Sequence, residues 1–195
     1  MGLDGIELLA ENEKFFNIRI PDAQAENIST IQNLVDTISE HLEIRSEDKE
    51  LQQVIFIAFR NAIVKRKEIA TEIQLKDRIS DYLLLGEPGF KLVVSDDLCL
   101  ETPEITDYSK SKSSLLAKIL RPILWTPKYN WNELTVEDYI DAVCAKNYKL
   151  LIKVEKIKSQ YEIYVAVAGI VVDVIGVDYF EIAPNKSFTE DYGVD

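Results

Sequence analysis

YEIYVAVAGIVVDVIGV, residues 161–177, is crowded with β-branched side chains, a composition that favours strand. Two features pull the other way. Ser159-Gln160-Tyr161-Glu162 has the form of a capping box, in which a serine hydroxyl and a glutamate three residues on satisfy free N–H groups at a helix start. Ile163, Val167, Ile170, Val171 and Val174 then recur at helical spacing. Local preference alone leaves strand and helix level.

The wider sequence breaks the tie. From Ile163 the chain runs IYVAVAGIVVDVIGVDYFEIAPNKSFTEDYGVD to Asp195. This stretch resembles the first helix, the long loop and the E-D-L-G-x-D signature of the acyl carrier protein family, here Glu190-Asp191-Tyr192-Gly193-Val194-Asp195; Gly176-Val177-Asp178, Ile182, Pro184, Ser187 and Phe188 match its loop. That family continues with Ser-Leu-Asp. At the other end of this sequence stand Gly2-Leu3-Asp4, then GIELLAENEKFFNIRIPDAQAENISTIQNLVDTI (residues 5–38), which resembles helices two, three and four. Phe16-Asn17-Ile18-Arg19-Ile20-Pro21-Asp22 matches F-x-I-x-I-P-D, and Ala25, Ile28, Thr30 and Ile31 match A-x-x-I-x-T-V.

The resemblance implies a circularly permuted carrier, mainly α, with a four-helix bundle assembled from residues 1–45 and 159–195 and a mostly helical middle at 46–158. Its cut lies at the prosthetic-group site. In that register Gly2, next to Asp195, occupies the place of the serine that carries phosphopantetheine. Glycine has no hydroxyl, so the phosphodiester cannot form there and no phosphopantetheine cofactor is expected. The family's docking acids fall on Asp4, Glu7, Glu13, Asp22 and Glu26, whereas Lys14 and Phe15 depart from its usual acidic run.

A docking face without its prosthetic group points to a non-acylated interaction or regulatory module. Its partner would be a protein with a basic patch: an enzyme of acyl or polyketide metabolism, or the chain's own basic helix at 60–67. One alternative is a true carrier modified at another residue. Another is an assembly protein in which one chain's tail completes another's head, an oligomer formed by segment exchange.

Charge agrees with a module that meets basic surfaces. The net charge is −12, of which residues 1–50 carry −8 and residues 159–195 carry −6, leaving +2 for 51–158. That distribution argues against nucleic acid as a partner. The sequence has no apolar run long enough for a membrane span and no basic leader, so a cytoplasmic protein is expected. Cys99 and Cys144 lack metal spacing and read as packed thiols, and His41 reads as a helix-terminal surface residue.

Along the chain, Asp4-Gly5-Ile6-Glu7 has the form of a capping box for a helix through Phe16, Pro21-Asp22 starts a short helix, and Thr30 caps IQNLVDTISEHL. The run LQQVIFIAFRNAIVKRK (51–67) carries a stripe of Leu51, Val54, Ile55, Ala58, Phe59, Ala62 and Ile63. A loop-rich stretch at 86–114 with a short strand at FKLVV, a helix at 113–120 and an aromatic connector follow. Residues 132–143 echo 27–38, and 54–79 faintly resemble the family's first helix and loop. A second, degenerate carrier-like bundle is therefore one reading of the middle, and an unrelated helical insert the other.

The sequence shows no phosphate-binding loop, zinc spacing or nucleophile elbow. Gly169, Gly176 and Gly193 are too scattered to cradle a phosphate, and Trp125, Trp131, Pro127 and Tyr129 read as core. No enzyme, catalytic residue or metal site is expected.

Overall fold

The computed structural model describes residues 3–67, 72–83, 99–103 and 129–194. These are mainly helical: α1 is Leu3–Phe16, α2 Asp22–Ala25, α3 Ile31–His41 and α4 Glu50–Lys67. After a single turn at Ile79–Asp81 come α5, Val136–Lys146, α6, Tyr148–Leu151, and α7, Gln160–Ile175. The expected strand at 90–94, the helix at 113–120, Trp125 and Pro127 lie outside the described residues, as do Gly2 and Asp195.

The ambiguous segment is the helix α7. Its capping box is formed, with the Ser159 hydroxyl accepting from the Glu162 N–H and the Glu162 carboxylate accepting from the Ser159 N–H. Gly176 ends it at φ 80°, a left-handed conformation suited to glycine, and donates to the Val172 carbonyl. The packing explains the composition. α1, α3, α5 and α6 all pack on α7, so every residue from Val165 to Val171, and Tyr161 and Ile163 besides, is buried. A β-branched residue costs a helix well under about 1 kcal/mol, whereas burying a Val or Ile gains about 1.5–3 kcal/mol. Burial wins, and a helix apolar on every side from Val165 to Val172 is what results.

The expected arrangement of α7 with α1 and α3 is present, drawing segments from opposite ends of the sequence into one core. Val167 and Val171 are fully buried and Val174 half-buried. Three local expectations need correction. α1 is already helical at Leu3, so Asp4 lies in its first turn, where its charge suits the helix dipole, and does not cap it. The buried face of α4 is Gln52, Ile55, Phe56, Phe59, Ala62 and Ile63, while Val54 is 56% exposed, because the helix turns its inner face to α5. Cys144 is buried as expected, but Cys99 is exposed. Trp131 does sit in the core, edge-on to Tyr139 and Phe180.

One polar residue sits in the core side of α1. Asn12, between Leu8 and Phe16 on the same face, is fully buried; its Nδ2 donates to the Leu8 carbonyl at 2.8 Å and its Oδ1 has no hydrogen-bond partner among the described residues. An unsatisfied buried acceptor costs about 1–3 kcal/mol. Asn12→Leu should therefore raise the midpoint of thermal unfolding by several degrees, at about 2–4 °C per kcal/mol for a chain of this size. A lower midpoint would overturn this reading.

A loop-to-helix geometry occurs twice. Thr30 bridges antiparallel to Ser187, and Thr135 to Arg78. Around the first bridge Ile31 N–H donates to Lys186 O (3.3 Å), Gln32 N–H to Pro184 O (2.8 Å) and Phe188 N–H to Ser29 O (3.0 Å). Around the second, Val136 N–H donates to Asp77 O (2.8 Å), Glu137 N–H to Leu75 O (2.9 Å) and Ile79 N–H to Leu134 O (3.0 Å). Every atom of one set has its counterpart in the other: residues 29–32 correspond to 134–137, and residues 184–188 of the loop to 75–79. The helix caps match too: Thr30 with Asn33 and Thr135 with Asp138 form the same reciprocal box.

Candidate functional site

The long loop after α7 is held from within. The Asp191 carboxylate accepts from the Ser187 N–H at 2.9 Å and pairs with Lys186 at 2.8 Å, while the Tyr192 hydroxyl donates to the Glu181 carbonyl at 3.1 Å. Gly193 takes φ 69°, and the Val194 N–H turns back to the Phe188 carbonyl at 2.9 Å. This delivers the buried Val194 to the start of α1. Val194 and Phe188 line, with Gly5, Leu8, Ile28 and Leu34, a cavity of about 390 Å³. Gly5, near one end of the sequence, and Val194, near the other, thus line the same cavity.

The five acids expected to form the docking face divide. Glu13, Asp22 and Glu26 line one groove between α1 and α2, together with Ile6, which is 59% exposed, and Arg19. Glu7 lines a separate groove with Glu11, Lys14, Phe15, Tyr148, Lys149 and Asp173. Asp4 is exposed in the first turn of α1. Glu13 has a second task that its spacing did not show: its Oε1 accepts the Ile20 N–H at 2.6 Å and clamps the turn into α2. The two departures from the acidic run also have local roles. Phe15 packs edge-on against Tyr148 of α6, and Lys14 pairs with Glu11 at 3.0 Å. α4 packs on α5. His41 lies exposed in the last turn of α3, its Nε2 2.8 Å from Gln24 Oε1.

A polar cluster that sequence reading did not pick out joins α4, α5 and α7. Asp141 Oδ1 accepts from the Tyr161 hydroxyl at 2.6 Å and from Gln52 Nε2 at 2.7 Å. Gln52 is almost wholly buried. Burial pushes the Asp141 carboxyl up, opposed by the hydrogen bonds from Tyr161 and Gln52. Burial also raises the Tyr161 hydroxyl and pushes the Cys144 thiol up to about 12, so neither is a ready nucleophile or base. At the solvent edge, the ammonium of Lys49, 2.9 Å from Glu137, holds that carboxyl below its usual value. Among the described residues no His, Cys, Asp and Glu group could hold a metal, and no helix is long and apolar enough to cross a membrane.

Known proteins resemble part of this chain. The acyl carrier protein of Cyanidioschyzon merolae is 44% identical over 46 residues, 24% of this chain and 50% of that protein. That of Rubrobacter xylanophilus is 46% identical over 39 residues, 20% of this chain and 48% of that protein. This chain is related to acyl carrier proteins over part of its length. It spans about half the length of the curated relatives it matches. No family model and no solved structure matches it.

Proposed function

We propose that this protein is a non-acylated, carrier-like interaction module rather than an enzyme, built on a permuted carrier bundle. The observation that carries this reading is the delivery of the Ser187–Val194 loop to the start of α1, with Gly2 standing immediately ahead of Leu3 where the carrier family has its modified serine. A collinear match that stops at about half of each relative is what a permuted order would produce. The bundle unit comprises residues 1–45 and 159–195, and the repeated bridge-and-cap geometry supports reading 46–158 as a second, degenerate copy. The displacement that relates the two loops sets Gly86 against Asp195, hence Glu87 against the acceptor position, and a carboxylate cannot take the phosphodiester either.

The docking side is acidic, so a partner with Arg and Lys on its surface fits it, an enzyme of acyl metabolism being the natural candidate. Rim charges of this kind set association rate and selectivity more than affinity. The deciding experiment is intact mass spectrometry of the full chain after coexpression with a phosphopantetheinyl transferase. The mass should equal that of the unmodified polypeptide. An added phosphopantetheine would establish the alternative, a true carrier modified elsewhere, and mapping the modified residue would locate it.

A further inference from the structure

We propose that the outer face of α4 is a docking surface for α4 of a second copy of this chain, in antiparallel orientation. Val54, Ile57 and Val64 are 56%, 46% and 40% exposed, although they sit in a helix whose other face is fully packed. Exposed Asn61 completes their i, i+3, i+7, i+10 spacing, the seam of a two-helix coiled contact with one polar residue in it.

Comparison with α7 shows why this face invites cover. Setting Ile55 of α4 against Ile163 of α7 brings Phe59 over Val167 and Ile63 over Val171, all buried. The same alignment sets Ile57, Asn61 and Val64 over Val165, Gly169 and Val172. On α7 that face is occupied: a Cβ at Gly169 would meet Tyr148 of α6 and the Ala145 carbonyl of α5. The described residues of α4 therefore keep open the face that its counterpart has buried.

Charge selects the occupant and its direction. Glu47, Asp48 and Glu50 gather at the start of α4, and Arg60 and Lys65 lie toward its end. A second α4 running antiparallel sets each acidic start against the other's basic end, whereas a parallel one would oppose like charges. A single twofold axis satisfies both halves of the contact and closes the assembly at two copies. One helix pair, about 27 Å long, is a small interface, so association in the micromolar range is expected.

Sedimentation equilibrium of the full chain, across about 5 to 500 μM at low salt, should fit a reversible monomer–dimer equilibrium that weakens as salt is added. Ile57→Glu with Val64→Glu should leave the chain monomeric over that range and its circular dichroism unchanged, since both sites are on the surface. Glu50→Lys alone and Lys65→Glu alone should each raise the dissociation constant several-fold, and the double exchange should restore it. A chain monomeric throughout, open-ended growth, a dimer indifferent to Ile57→Glu with Val64→Glu, or a double exchange that fails to restore association would overturn the proposal. None of these outcomes depends on whether the chain is acylated.

Discussion

Asp141→Leu should destabilise the protein by about 3 kcal/mol, a fall of about 6–12 °C in the midpoint of thermal unfolding. Leucine fills the space but accepts nothing, so the Tyr161 hydroxyl, now 2.6 Å from the carboxylate, is left as a buried donor, while Gln52 Nε2 keeps its 3.3 Å bond to Glu137. Asp141→Asn should act in the opposite sense at neutral pH. The amide oxygen still accepts from Tyr161 and Gln52, and the buried charge is gone.

The pH dependence separates these effects. Because burial raises the Asp141 carboxyl above its unfolded value of about 3.9, the folded protein binds the extra proton, and that contribution is full below about 3.9 and lost as pH rises through the folded value. Glu137 works the other way: lowered by Lys49, it contributes stability above its unfolded value of about 4.3 that is lost as pH falls. Urea unfolding from pH 3 upward should therefore show the gap between Asp141→Asn and wild type widening in favour of Asn as pH rises. A constant gap would show that this carboxyl does not titrate differently in the folded state.

Gly169→Ala should lower the thermal midpoint by about 4–8 °C. Its Cβ would stand 2.2 Å from Tyr148 Cδ1 and 2.6 Å from the Ala145 carbonyl oxygen. A backbone carbonyl cannot swing aside, so α7 has to part from α5 and α6 at this point. Overpacking of this kind costs up to about 3 kcal/mol, and alanine returns about 1 kcal/mol through helix propensity, leaving a net loss of about 2. Adding Tyr148→Ala should relieve only the ring clash in a double-mutant cycle. A calorimetric midpoint equal to wild type would show that the helices are not held together here.

Much of this was legible in residues that act on their immediate neighbours. Ser159 with Glu162 and Thr30 with Asn33 mark helix starts because a cap bonds within one turn. The echo of 27–38 in 132–143 carried the shared Thr and Asp positions, Thr30 with Thr135 and Asp36 with Asp141, before any geometry was known. The candidate site was less legible. The family resemblance put Glu7 and Glu13 in one set, yet they fall in different grooves, and Glu13 is engaged with a backbone N–H seven residues away. A loop closure of that kind has no local signature.

By itself, then, the sequence determined the capped starts of α3 and α7, the loop with its glycine at 193, the absence of a hydroxyl at position 2 and the sign of the surface charge, because each is a property of single residues or of one helical turn. Only the tertiary structure decided that α7 is the shared central helix, that Gly169 is the point where α5 and α6 reach it, and that Asp141 gathers Gln52 and Tyr161 from two other helices. These depend on contacts between residues far apart in the chain, and a face apolar enough for several neighbours does not say which of them will cover it.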